Sequence, residues 1–222
     1  MIILSPYDVM RLARAADLST REAIERFTIR RGSILKFTDD GACVALKGAR
    51  CGVHRGRPLA CRLYPLGLER IEESHGEKFV TLEPAAGSLG VYGFDGDVDS
   101  FLEAQGVGDY LAANARYASL LPILRERIAA TVDFDRIEPR EFWRRAAREA
   151  LAESNYDANP LIDAIFDASA IDGIADAEIV ATHIERLAQM IRHESNAEML
   201  AAAAVMLAVS LGYSPREVTV IS

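Results

Sequence analysis

Three cysteines and one histidine fall within nineteen residues, Cys43, Cys51, His54 and Cys61, in the spacing C-x7-C-x2-H-x6-C. Thiolate and imidazole are the donors that zinc and iron–sulfur clusters take, and four of them complete a tetrahedral site. The C-x2-H step lets Cys51 and His54 reach one ion from a single turn. Cys43 and Cys61 must be brought in by separate loops. Arg50, Arg55, Arg57 and Arg62 surround the thiols, and positive charge lowers a cysteine pKa and offsets the charge of a thiolate cluster. The spacing matches no common zinc-finger pattern, and free cysteines often simply pack as small apolar side chains. Clustering with a histidine and four arginines favours coordination over packing. A further use of the same residues makes Cys61 a nucleophile, activated by Arg62 with His54 as base. The flanking cysteines favour shared coordination instead.

The elements that must position these groups are legible from local patterns. Ser5-Pro6 is an N-cap followed by proline at the first helical position, and Val9, Leu12, Ala13 and Ala16 fall on one helical face. Ser19-x-x-Glu22 is a capping box that opens a second short helix with Ala23, Ile24 and Phe27 on its core side. Residues 34–37 and 43–46 are β-like runs around the turn Asp39-Asp40-Gly41. Pro58 begins a helical turn carrying Leu59, Cys61 and Leu63, which Pro65 ends. Residues 67–71 and 78–82 pair as a hairpin across the polar segment 72–77. Residues 84–96 hold four glycines and a proline and mark a loop and domain boundary.

The cysteine run resembles the YkgJ-type cysteine-cluster family, whose members are described as zinc- or iron-chelating proteins. That family shows a cysteine after a short strand and then a C-x-[IV]-[YH]-x-x-RP-x-x-CR-x-[FY]-P signature. Here Cys51-Gly52-Val53-His54-Arg55-Gly56-Arg57-Pro58-Leu59-Ala60-Cys61-Arg62-Leu63-Tyr64-Pro65 matches it, with Cys43 upstream. Ile3-Leu4-Ser5-Pro6-Tyr7-Asp8-Val9-Met10-Arg11-Leu12-Ala13 is similar to the family's leading helix, so the resemblance covers about residues 1–83. It implies zinc or an iron–sulfur cluster on Cys43, Cys51 and Cys61, with His54 as a weaker fourth ligand and Arg57 and Arg62 balancing charge. Relatives include flagellin lysine N-methylases, which makes a redox or methyl-transfer enzyme a further alternative. Family members also carry a C-x-x-C-x-x-CC-like run just before the leading helix, and Met1 stands inside that lead-in. Either further ligands lie upstream, or this is a reduced member that lacks them.

Beyond residue 97 the chain reads as helical. Tyr110, Tyr117, Leu121, Leu124 and Ile128 form one stripe, with Pro122 kinking that helix or starting a new one. Residues 138–153 put Trp143, Ala147 and Ala150 on one side; Leu161, Ile165 and Phe166 mark a short helix. Val180, Ile184, Leu187 and Ile191 make another stripe. The apolar run Met199–Leu211, broken only by Ser210, reads as a buried helix capped by Gly212. It is well short of the roughly 20 residues a membrane-spanning helix needs, and Met1–Leu4 is too brief for a signal-peptide core.

The fold class expected is therefore α+β, mainly α: a cysteine-cluster metal-binding domain over 1–95 followed by an acidic helical domain over 97–222. Of the 25 Lys/Arg and 33 Asp/Glu, 13 and 7 lie in residues 1–70, leaving 12 and 26 beyond, so the charge is +6 and then −14. That balance argues against generic nucleic-acid binding, and the cytoplasm is the expected compartment, with no membrane partner. A protein partner for the helical part, beside a zinc-stapled or metal-free module, is the rival reading from another class. Other candidates are weaker. His183 reads as a core or boundary histidine, His75 as solvated, and His193 as an ordinary helix residue. Asp39-Asp40 and Glu72-Glu73 read as turn carboxylates, and Met190, Met199, Met206 and Trp143 as core. There is no G-x-S-x-G elbow, and Gly87-Ser88-Leu89-Gly90 is no phosphate cradle.

Overall fold

A computed structural model describes residues 1–29, 32–71, 76–83, 96–151 and 174–213. The fold is α+β and mainly α. Helix α1 (Pro6–Ala16) begins at Ser5, whose hydroxyl and Asp8 form a reciprocal capping box, and ends on Asp17 in the left-handed region at φ 56°. Helix α2 (Thr20–Phe27) starts at the expected Ser19/Glu22 box. Strands β1 (Thr28–Ile29) and β2 (Ile34–Leu35) pair antiparallel, Thr28 opposite Leu35. Strands β3 (Leu46–Lys47) and β4 (Arg50–Cys51) form a second tiny hairpin. A single 3-10 turn, His54–Gly56, leads to α3 (Leu59–Leu63), capped by Pro58 and stopped before Pro65. Strands β5 (Leu66–Ile71) and β6 (Gly76–Thr81) form the expected long hairpin.

The runs 34–37 and 43–46 meet through a bridge between Phe37 and Cys43 and through the Val44 amide, which donates to the Lys36 carbonyl at 3.3 Å, while Ile34–Leu35 pairs with β1 and Leu46 pairs with Cys51. The Asp39-Asp40-Gly41 turn is present, with the Thr38 amide donating to the Ala42 carbonyl at 2.8 Å. Two short apolar runs beside a turn satisfy either pairing locally; Ile34 and Leu35 are buried between β1 and the N-terminal residues, Ile34 bridging Ile3 and the Leu35 amide donating to the Ile2 carbonyl at 2.9 Å.

The remaining elements are helices: α4 (Val98–Ala104), α5 (Gly108–Tyr117), α6 (Leu120–Thr131), α7 (Pro139–Leu151), α8 (Asp176–His193) and α9 (Ala197–Ser210). Pro122 is the third residue of α6, in the first turn, where its missing N–H costs nothing, so it belongs to a new helix rather than a kink. Helix α9 is the buried one: Leu200–Ala208 are all inaccessible, and α6 and α7 pack on it. Gly212, whose φ is 98°, caps its C-terminal end, with the Tyr213 amide donating to the Ala208 carbonyl at 3.0 Å. Trp143 and His183 are buried, Met206 fully so, Met190 and Met199 partly, and His193 is exposed. His75, Glu72-Glu73, the 84–95 segment and the Leu161/Ile165/Phe166 helix lie outside the described residues.

Side chains from both parts of the chain meet in one connected core. The Tyr7 ring stands edge-on to Tyr110, with centroids 5.0 Å apart. The Tyr7 hydroxyl donates to Asp176 at 2.8 Å, and Arg11 and Arg14 pair with the two oxygens of that carboxylate. Asp176 opens α8, so α1 is tied to the start of a helix about 160 residues away in sequence. Among the described residues no helix is long and apolar enough to cross a membrane.

Candidate metal centre

Cys43 follows the Asp39-Asp40-Gly41 turn and bridges to Phe37; its carbonyl accepts from the Leu46 amide at 3.0 Å. That bond and the Leu46–Cys51 pair place Cys43 and Cys51 on the same small hairpin. Cys61 is the third residue of α3. All three are free thiols, each half-buried, and each packs against the core. His54 is exposed at the start of its 3-10 turn. Three of the four expected donors are thus brought to one neighbourhood, and the fourth faces solvent. Among the described residues, no three His, Cys, Asp or Glu side chains are arranged to hold a metal ion. The donor chemistry fits a thiophilic ion, whereas the thiols as placed stand apart from a closed ligand set.

Electrostatics shows how closely they are coupled. Burial pushes the Cys61 thiol up to about 12, and the charges of Asp8, Cys43 and Cys51 add to that rise, while the Arg57 guanidinium opposes it. Each thiolate disfavours the next, as expected where anions share a half-buried place. A bound cation would reverse that sign. The same rise leaves Cys61 a protonated thiol at neutral pH, which weakens the nucleophile reading.

Asp8 is the residue that holds this region in place. It is 2 % exposed, and its carboxylate accepts from the Ser5 amide at 2.8 Å, the Ser5 hydroxyl at 2.9 Å and the Leu59 amide at 2.7 Å. Burial raises its pKa; the Leu59 and Ser5 hydrogen bonds and the Arg62 charge act against that rise. It therefore caps α1 with one oxygen and the start of α3 with the other, two residues before Cys61. The motif S-x-x-D at Ser5 could have disclosed the first role, and nothing local discloses the second. The turn before α3 seats directly on α1: a Cβ built on Gly56 would lie 2.0 Å from the Arg11 carbonyl oxygen.

Arg57 and Arg62, both expected to balance charge at the thiols, are engaged in different ways. The Arg62 side chain is turned to backbone, its Nε donating to the Arg57 carbonyl at 3.1 Å and its Nη groups to the Gln105 and Arg55 carbonyls at 2.6 and 2.7 Å. Its guanidinium lies over the Tyr110 ring, 4.8 Å from the centroid. Arg57 is the cation beside Cys51 and Cys61, and its Nη2 donates to the Gln105 side chain. Gln105 and Tyr110 come from the helical part and were not legible as site residues. Nearby, an apolar cleft of about 270 Å³ opens between Ile2, Leu59, Leu63 and Leu211, with Asp8 its one acidic lining residue and no cysteine in it.

Comparison with protein-family models, with curated proteins and with solved structures finds no match to this chain.

Proposed function

We propose that the protein binds a thiophilic metal, zinc or the iron of an iron–sulfur cluster, through Cys43, Cys51 and Cys61, with His54 available as a fourth donor. The observation that carries this reading is that three free, half-buried thiols lie near enough for Cys43 and Cys51 to act on Cys61, with the Arg57 cation beside Cys51 and Cys61. The resemblance of residues 1–83 to the YkgJ-type family points the same way. Strands β3 and β4 are two residues each, so few ladder bonds resist a shift that carries Cys43 and Cys51 onto Cys61. Metal uptake is then coupled to ordering of this hairpin, and part of the binding free energy becomes folding free energy.

Elemental analysis and a visible spectrum, on protein purified without oxygen and without a metal-affinity tag, test the reading. About one zinc per chain without colour supports a structural site, and iron with sulfide and a brown band supports a cluster. Cys51→Ser and Cys61→Ser should each lower metal content and melting temperature together. Unchanged occupancy and melting temperature in both would refute it. A second reading, a metal-free module on a helical protein-binding scaffold, is favoured by the outward His54 and the open thiol arrangement. Absence of metal under these conditions would select it.

A further inference from the structure

Asp8 is a buried acid with no cation against it. The residue is 2 % exposed, and its carboxylate receives the Ser5 amide and hydroxyl on Oδ2 and the Leu59 amide on Oδ1. Three converging donors call for acceptor oxygens, which is the ionised form. A carboxylate offers about four acceptor positions, so one on Oδ1 stays open. Among the described residues, no Lys, Arg or His nitrogen stands within ion-pair distance of it. Asp8 is also part of the wall of the 270 Å³ cleft where the beginning of the chain, α3, β5 and the end of α9 meet. It is the one ionisable side chain in that wall, which is otherwise chiefly aliphatic, with Ile2, Leu59, Leu63, Leu66 and Leu211 as large members. The Ser210 hydroxyl, also in the wall, donates to the Leu207 carbonyl at 2.7 Å. Met1 and Leu82 line the cleft and are 77 % and 44 % exposed, so it opens to solvent.

We propose that this cleft binds a small aliphatic primary amine, its ammonium donating to Asp8 Oδ1 and its chain lying along the leucines. The space exceeds the roughly 150 Å³ that takes benzene in an apolar cavity, so a short alkyl chain fits. Charge decides among apolar occupants. A fatty carboxylate meets the Asp8 charge with no cation in the wall to offset it. A hydrocarbon leaves the open acceptor of Oδ1 unanswered, and an alcohol answers it without cancelling the charge. Burying an ammonium is costly alone, and pairing with a buried carboxylate offsets that cost. No cysteine lines the cleft, so the assignment is independent of the metal-binding reading.

Calorimetric titration of the full chain with n-hexylammonium, n-hexanol and n-hexanoate tests this, at about pH 7.5 where the amine is charged and the acid ionised. Hexylammonium should bind saturably and about tenfold or more tighter than hexanol, the difference a charged hydrogen bond makes. Hexanoate should not bind. Ammonium chloride, which carries the charge without the chain, should give no saturable binding. Ala60→Phe, at an exposed residue of α3 that lines the cleft, should fill it and abolish hexylammonium binding. Asp8→Asn should bring hexylammonium and hexanol to nearly equal affinity. Absence of saturable hexylammonium binding to wild type would overturn the assignment. Hexanol or hexanoate binding as tightly as hexylammonium would overturn it too, leaving an apolar cleft in which Asp8 takes no part. Saturable binding of ammonium alone would reduce the effect to general attraction by an acidic protein, and unchanged binding in Ala60→Phe would place the amine elsewhere; either result overturns it. If Asp8→Asn does not fold, the comparison of the three ligands on wild type decides.

Discussion

His183 should give the protein a pH-dependent stability whose size follows from its burial. The imidazole is 1 % exposed on the buried face of α8, with Ile179, Val180, Leu187 and Ile191 on the same face. The Tyr117 hydroxyl lies 3.3 Å from Nδ1, and a neutral ring lets it donate there. Burial, and then the Arg186 charge, lowers the His183 pKa from 6.5 to about 4. The fold therefore holds the neutral base, and the unfolded chain binds a proton that the fold refuses. Above pH 6.5 this costs nothing; as pH falls from 6.5 toward 4 stability is lost progressively. At about 1.4 kcal/mol per pH unit, the loss is about 2 kcal/mol by pH 5 and roughly 3 kcal/mol once pH is below 4. His183→Gln keeps a polar group facing Tyr117 and does not titrate. Urea unfolding of both proteins at about pH 7.5 and about pH 5 isolates the effect, because all other titrating groups are shared. The stability difference, wild type minus variant, should fall by about 2 kcal/mol between the two conditions. A difference that stays constant, or one that grows in favour of wild type as pH falls, would refute the buried neutral imidazole.

Two further substitutions test the frame around the thiols. Gly56→Ala should cost about 3 kcal/mol and lower the melting temperature by roughly 10 °C, because the new methyl would lie 2.0 Å from the Arg11 carbonyl and 2.6 Å from the Ala15 Cβ. A melting temperature within a degree or so of wild type would mean that the 54–56 turn does not seat on α1 as described. Asp8→Ala removes the acceptor of the buried Ser5 and Leu59 amides and should destabilise by about 2–4 kcal/mol. The same change should speed alkylation of Cys61, since α3 loses its tie to α1. Unaltered unfolding and alkylation rates would refute the double capping role.

The elements that local chemistry controls were legible in the residues. Caps at Ser5 and Ser19 satisfy amides within three residues of themselves, so S-x-x-D and S-x-x-E suffice to start α1 and α2. The stripe Val180, Leu187 and Ile191 and the all-round apolar run of α9 are periodic, and periodicity needs no partner to be read. Pro58 and Pro65 bracket α3 by their own backbone limits. Strand pairing was a different matter. Ile34 and Leu35 could pair with either neighbouring run, and the choice fell to the one that buries them between β1 and the N-terminal residues. The candidate site divides in the same way: residue types marked Cys43, Cys51 and Cys61, while nothing nearby marked Gln105 or Asp176.

What the sequence by itself determined is the inventory: a mainly helical chain, short strands around clustered thiols, a basic beginning and an acidic remainder. What only the tertiary structure decided is which of these groups meet. Arg57 and Arg62 were both expected to balance charge at the thiols; Arg62 spends its donors on the carbonyls of Arg55, Arg57 and Gln105, while Arg57 lies beside Cys51 and Cys61. His54, read as a weaker fourth ligand, is exposed, and Asp8, read as part of a leading helix, reaches 51 residues along the chain to cap α3. The physical reason is range. Capping, periodicity and turn chemistry act over a few residues and leave a signature in order and spacing, whereas hydrogen bonds and burial between distant segments depend on how whole helices pack.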